Sequence, residues 1–186
     1  MGNFYTNTTL RGPSQDEVVS YLNGLGRTTY VSPVEKGCVV VFDELGDTQD
    51  TDALADLTRS LSAQFHCPAW VVLNHDDDVL WYQLYQDGAL KDEYNSAPDY
   101  FDSSQGAEPG GGDAKALCAA FGAEGAEDRV EAILRDEECF FALERHADLL
   151  QALGAPDFAV GGGYRYLEGG EIPPGLDQST LVRTGV

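Results

Sequence analysis

Val79-Leu80-Trp81-Tyr82-Gln83-Leu84-Tyr85, turned by Gln86-Asp87-Gly88 into a second run from Leu90 to Tyr94, decides the architecture. An Asp-Gly pair between two runs rich in aromatic and branched residues marks a β-hairpin. Strand side chains alternate between faces, so Val79, Trp81 and Tyr85 lie on one side and Leu80, Tyr82 and Leu84 on the other. Both sets are apolar. A sheet built around this strand therefore needs a cover on each face.

Working back towards the N-terminus, Phe4 to Leu10 reads as a strand. Ser14 with Glu17 three residues on is a capping box, and Val18, Val19, Leu22 and Leu25 then share one helical face before Gly24 and Gly26. Thr28–Val31 and Gly37–Phe42 follow as strands, the second containing the continuous apolar run Cys38-Val39-Val40-Val41-Phe42 of a doubly buried strand. Asp47-Thr48-Gln49-Asp50 caps a second helix, with Leu54, Leu57, Leu61 and Phe65 at three- and four-residue spacing. Ala69–Leu73 is the next strand. The order β-α-β-β-α-β resembles ferredoxin-like proteins, here extended by the hairpin. The expectation is thus an α+β fold with a ferredoxin-like antiparallel sheet over residues 1–94.

The first two helices of such a unit cover one face. The other needs the C-terminal helices or a partner, and the C-terminal helices are the expected cover, making one compact unit. Residues 95–113, with Pro98, Pro109 and Gly110-Gly111-Gly112, read as a linker or surface loop. Within 114–186, helices are expected over 114–121, 127–135 and 138–153. Phe158–Val160 and Tyr164–Leu167 suggest a strand pair or return strand, and the tail from Glu171 is expected to run extended.

The chain has 186 residues, 32 Asp plus Glu against 11 Lys plus Arg, and a net charge of -21. A surface that tracks nucleic-acid phosphates must be basic, so that function is excluded, and the same charge argues against binding to anionic membranes. The first residues show no basic and apolar leader, and no segment is long and apolar enough to span a bilayer, so the expected location is the cytoplasm. The acidity has two readings. One is a surface that steers a basic partner. The other is adaptation to a salt-rich interior, suggested by three Lys against eight Arg and by 19 Asp against 13 Glu. Cys38, Cys67, Cys118 and Cys139 form no short-spaced pair and read as free thiols.

Few constellations carry chemistry. Asp76, Asp77 and Asp78, with His75, could offer oxygen ligands and one imidazole to Mg²⁺ or Ca²⁺, although Asn and Asp also simply make good turns. Asp43 and Glu44 end the apolar strand, where paired carboxylates could do acid/base work. His66-Cys67 lies at a helix C-terminus, which disfavours a thiolate. His146 falls in a charged stretch and is expected to be solvated. There is no GxSxG nucleophile elbow, and neither glycine run matches a phosphate loop. The aromatics Trp81, Tyr82, Tyr85, Tyr94, Tyr100 and Phe101 have two readings: core packing beneath the C-terminal helices or, where exposed, the candidate recognition patch, with Asp99 and Asp102 at its rim.

Two functions stand as expectations. The first is a non-enzymatic protein that binds a basic partner through its acidic surface and this patch, without a cofactor. In composition alone it resembles immunity proteins, which neutralise basic toxins. The alternative is a small divalent-metal-dependent enzyme or metal-binding protein built on His75 and Asp76–Asp78.

Overall fold

In the computed structural model, which describes residues 2–185, a single antiparallel sheet of eight strands carries the fold. The strands are β1 (Tyr5–Arg11), β2 (Thr29–Val31), β3 (Cys38–Asp43), β4 (Pro68–His75), β5 (Val79–Gln86), β6 (Ala89–Asn95), β7 (Gly110–Gly111) and β8 (Val182–Arg183). Six helices accompany them among the described residues: α1 (Gln15–Gly24), α2 (Thr51–Phe65), α3 (Ala114–Phe121), α4 (Glu127–Arg135), α5 (Ala142–Leu153) and α6 (Tyr164–Glu168). The strand order is β7-β6-β5-β4-β1-β3-β2-β8, larger than a ferredoxin-like sheet by β5, β6 and β7 on one side and β8 on the other.

Local chemistry explains the elements. Ser14 and Glu17 form the reciprocal cap of α1, and the Asp50 carboxylate accepts from the backbone N–H groups of Asp52 and Ala53 to start α2. The Asp87-Gly88 turn between β5 and β6 takes φ of +53° and +75°, the left-handed pair that suits a two-residue hairpin.

The sheet is covered on both faces. Val18 and Leu22 of α1 and Leu57 and Leu61 of α2 pack on Leu10, Val31, Val39, Val41 and Ala69. On the opposite face Val40, Phe42, Trp70, Val72, Leu80, Tyr82 and Leu84 meet Leu117 and Cys118 of α3, Val130 and Leu134 of α4, and Leu149, Leu150 and Leu153 of α5. Tyr82 and Tyr94 belong to this contact: the Tyr82 hydroxyl donates to Asp92 Oδ2 (2.7 Å) and that of Tyr94 to the Leu134 carbonyl (2.9 Å).

Several expectations need correction. Phe158–Val160 and Tyr164–Leu167 are not strands but a 3-10 turn (Asp157–Ala159) and α6; buried Tyr164 and Leu167 are three apart, a helical spacing. The return strand is β8, paired with β2. Within 95–113, Gly110 and Gly111 pair with β6. Gly111 has φ +73°, and a Cβ there would stand 2.1 Å from the Glu93 carbonyl oxygen. The third C-terminal helix starts at 142 rather than 138, leaving Phe140 outside it and 76% exposed.

That shift also reverses the reading of His146. With α5 beginning at Ala142, the inward positions are Ala142, Arg145, His146, Leu149, Leu150 and Leu153, at intervals of three and four. His146 is fully buried and its Nδ1 pairs with the Tyr5 hydroxyl at 2.8 Å. Arg145 turns its guanidinium onto the carbonyls of Ile133, Asp136 (2.5 Å) and Cys139 (3.1 Å) at the end of α4, where the helix dipole favours a cation.

Burial pulls the His146 pKa down to about 3 from its ordinary 6.5. The unfolded chain then binds a proton near pH 6.5 that the folded chain refuses until about pH 3. His146 therefore makes stability fall as pH drops through that window, by about 1.4 kcal/mol per pH unit at full slope, and contributes no penalty above it. Urea unfolding of wild type and His146→Gln between pH 6.5 and 5 is expected to show the steeper loss in wild type; parallel curves would count against a neutral, buried His146.

Candidate functional site

The start of β1, the ends of β3 and β4 and the start of β5 meet at one end of the sheet. The β4–β5 turn stands there. Asp76 and Asp77 both take positive φ (+53° and +64°) and the Asp78 N–H donates to the His75 carbonyl at 3.0 Å. Asp tolerates the left-handed region better than most residues, so turn geometry accounts for two of the three aspartates.

The side chains of Asp76 and Asp77 are committed within the chain. Asp76 Oδ1 accepts from the Gly2 N–H (2.7 Å). Asp77 accepts from Asn3 Nδ2 (2.8 Å) and Asn74 Nδ2 (3.0 Å). The Asp77 carbonyl takes the Ala142 N–H at 2.7 Å, tying the turn to the first residue of α5. Among the described residues no group of three or more His, Cys, Asp or Glu is placed to hold a metal ion. Asp43 does not join them: Arg27 grips its carboxylate through Nε (3.1 Å) and an Nη (2.5 Å), and the Gly46 N–H donates to it at 2.9 Å. Glu44 beside it is exposed.

His75 has a defined orientation. Gln49, a left-handed residue (φ +57°) closing the 3-10 turn Leu45–Thr48, donates its Nε2 to the Asn74 carbonyl (2.8 Å). Its Oε1 therefore faces His75 Nδ1 at 2.6 Å, so Nδ1 carries the proton. With Nδ1 as the donor, Nε2 is the ring nitrogen left to accept, and it makes no hydrogen bond among the described residues. Three aromatic rings meet the imidazole edge to face: Phe4 (4.9 Å between centroids), Phe101 (4.9 Å) and Tyr100 (5.7 Å).

The aromatic candidates divide. Tyr82, Tyr85 and Tyr94 are buried, as packing residues. Trp81 is half-buried, whereas Tyr100 and Phe101 are exposed and stack edge to face on each other at 4.8 Å. Desolvation, with Asp78 and Asp76 nearby, raises the Tyr100 pKa. Asp99 is half-buried; exposed Asp102 is held by Ser104 and Gln105, bonds that lower its pKa. Three aromatics outside the expected set stand at the same end: Phe4 (42% exposed), Phe140 and Phe141. Phe140 lines a hollow with Asp78, Ser96 and Ala97, and Phe141 immediately precedes the α5 residue bonded to the turn. Only the Phe-Phe pair itself marks them in sequence, and it reads as a helix face until α5 is seen to begin later.

No protein-family model, no curated protein and no solved structure matches this chain. Among the described residues, no helix is long and apolar enough to cross a membrane.

With Asp76 and Asp77 occupied by the chain's own N–H donors, Ca²⁺ or Mg²⁺ is expected to raise the melting temperature no more than matched ionic strength does. The triple variant Asp76→Asn, Asp77→Asn, Asp78→Asn should leave that response unchanged; a metal-specific rise lost in the variant would restore the metal reading.

Proposed function

We propose that this protein binds another protein of basic character, without catalysis, through the end of the sheet around the β4–β5 turn. One observation carries the reading: five exposed aromatics, Phe4, Tyr100, Phe101, Phe140 and Phe141, gather around a turn of three aspartates. Solvent-facing aromatic rings cost free energy unless something covers them, and clustered rings with charge at the rim are the anatomy of a binding hot spot. The net charge of -21 supplies long-range attraction for a basic partner.

The inner strand order β4-β1-β3-β2, with α1 and α2 together on one face, supports reading the first six elements as a ferredoxin-like unit. That superfold hosts many unrelated functions and adds no weight to any of them. The metal reading loses weight because two of its four ligand side chains already bind Gly2, Asn3 and Asn74.

The test begins with capture of basic proteins from the source lysate at low salt and their release at high salt, followed by association kinetics with the retained partner. Asp99→Lys with Asp102→Lys is expected to slow association by roughly ten-fold at low salt and to flatten its salt dependence. Phe101→Ala with Phe140→Ala should instead speed dissociation by ten-fold or more. Unchanged rates in both double variants would contradict the reading.

A further inference from the structure

Beside His75, on the face of the sheet that carries α1 and α2, a cavity of about 440 Å³ opens at the N-terminal end of α2. Its floor is Leu73 and Val79, and its walls are Trp81 and Phe101. The polar lining comes from Thr48, Gln49 and Thr51 on one side and from Asn95 on the other. His75 closes it. Among the described residues that line it there is no Lys, Arg, Asp or Glu, in a chain with 32 carboxylates. Carboxylates stand nearby instead: Asp50 and Asp52 flank Thr51, and Asp78 lies next to Tyr100, whose ring packs on Phe101.

We propose that this cavity receives the guanidinium group of an arginine side chain from the basic partner, an inference that rests on the protein-binding reading above. Three features select this occupant. Indole and phenyl rings attract a weakly hydrated, planar cation over their faces, and arginine stacks there more readily than lysine. The polar lining can accept hydrogen bonds: threonine hydroxyls, the Asn95 carboxamide oxygen, which already takes the Ala97 N–H at 3.0 Å and has a second lone pair, and His75 Nε2, the ring nitrogen left to accept because Nδ1–H donates to Gln49 Oε1. The surrounding field is negative, while the absence of a carboxylate inside the cavity spares the complex a fully desolvated ion pair. Shape and orientation come from the aromatic walls, and attraction comes from the rim.

The probe is Nα-acetyl-arginine-N-methylamide, compared with the citrulline counterpart, which matches it in shape but carries no charge. Binding is read from the Trp81 indole N–H resonance, distinguished from that of Trp70 by Trp81→Phe. The arginine compound is expected to move the Trp81 resonance saturably and the citrulline compound to bind at least ten-fold more weakly. Thr51→Lys, an exposed change that places a cation at the mouth without disturbing the core, should abolish the shift and speed dissociation of the captured partner by ten-fold or more.

Equal binding of the two compounds, or no Trp81 shift with either, would overturn the assignment even where the basic partner is still retained. Arginine binding with partner dissociation unaltered by Thr51→Lys would overturn the partner-anchor role. If arginine binds selectively but no basic partner is captured at low salt, the guanidinium assignment is supported, and the protein-binding reading is the one that fails.

Discussion

The central strand carries polar side chains through a sheet that is buried on both faces. β1 is Tyr-Thr-Asn-Thr-Thr-Leu-Arg, and everything from Tyr5 to Leu10 is buried between β3 and β4. Hydroxyls and carboxamides there need partners from whatever packs above and below. Thr8 meets Thr58 of α2 at 3.3 Å. Asn7 donates to the carbonyls of Ala159 and Gly162 (2.8 and 2.9 Å), and Tyr5 pairs with His146 of α5. One seven-residue strand thus fixes α2 on one face and α5 with the 159–162 turn on the other. The apolar surfaces supply the driving force for the three layers; these polar contacts select which elements dock, and where.

The candidate site follows from that arrangement. Because Tyr5 locks α5 in place, the first residue of α5 reaches the β4–β5 turn, and Phe140 and Phe141 are carried to the same end of the sheet as Phe4, Tyr100 and Phe101. Asp76 and Asp77 are taken up by backbone geometry and by holding Gly2 and Asn3. What remains available is aromatic surface, an oriented imidazole and a negative rim. The proposed recognition of a cationic partner draws on that combination.

How much of this was legible from residues alone depended on the kind of signal. Caps, hairpin turns and period-two or period-3.6 apolar patterns are local, and they placed β1 to β6, α1 and α2 close to where they lie. The two apolar faces of β5 likewise pointed to a cover on each side. Polar burial was not legible. Arg145-His146 looked like a solvated face because nothing in sequence shows that Tyr5, 141 residues away, offers the imidazole a partner. Strands of two residues, β7 and β8, are too short to show any pattern, and Tyr164 to Leu167 mimicked a strand over a stretch too brief to separate the periods. In the candidate site, His75, Trp81, Tyr100 and Phe101 were visible as residue types. Their grouping with Phe4 and Phe140 depends on contacts across the whole chain, whereas core packing of Tyr82, Tyr85 and Tyr94 was one of the two readings their sequence allowed.

β1 welds both helical layers to one sheet. Native-state hydrogen exchange tests it directly, by comparing the opening free energies of amides in β1, α2 and α5 at increasing denaturant. If β1 joins the layers into one cooperative unit, the slowest amides of all three elements converge on a single value, that of global unfolding. Exchange of the entire α5 helix at a much lower free energy, with β1 and α2 still protected, would show that the second layer is an independent attachment and would contradict it.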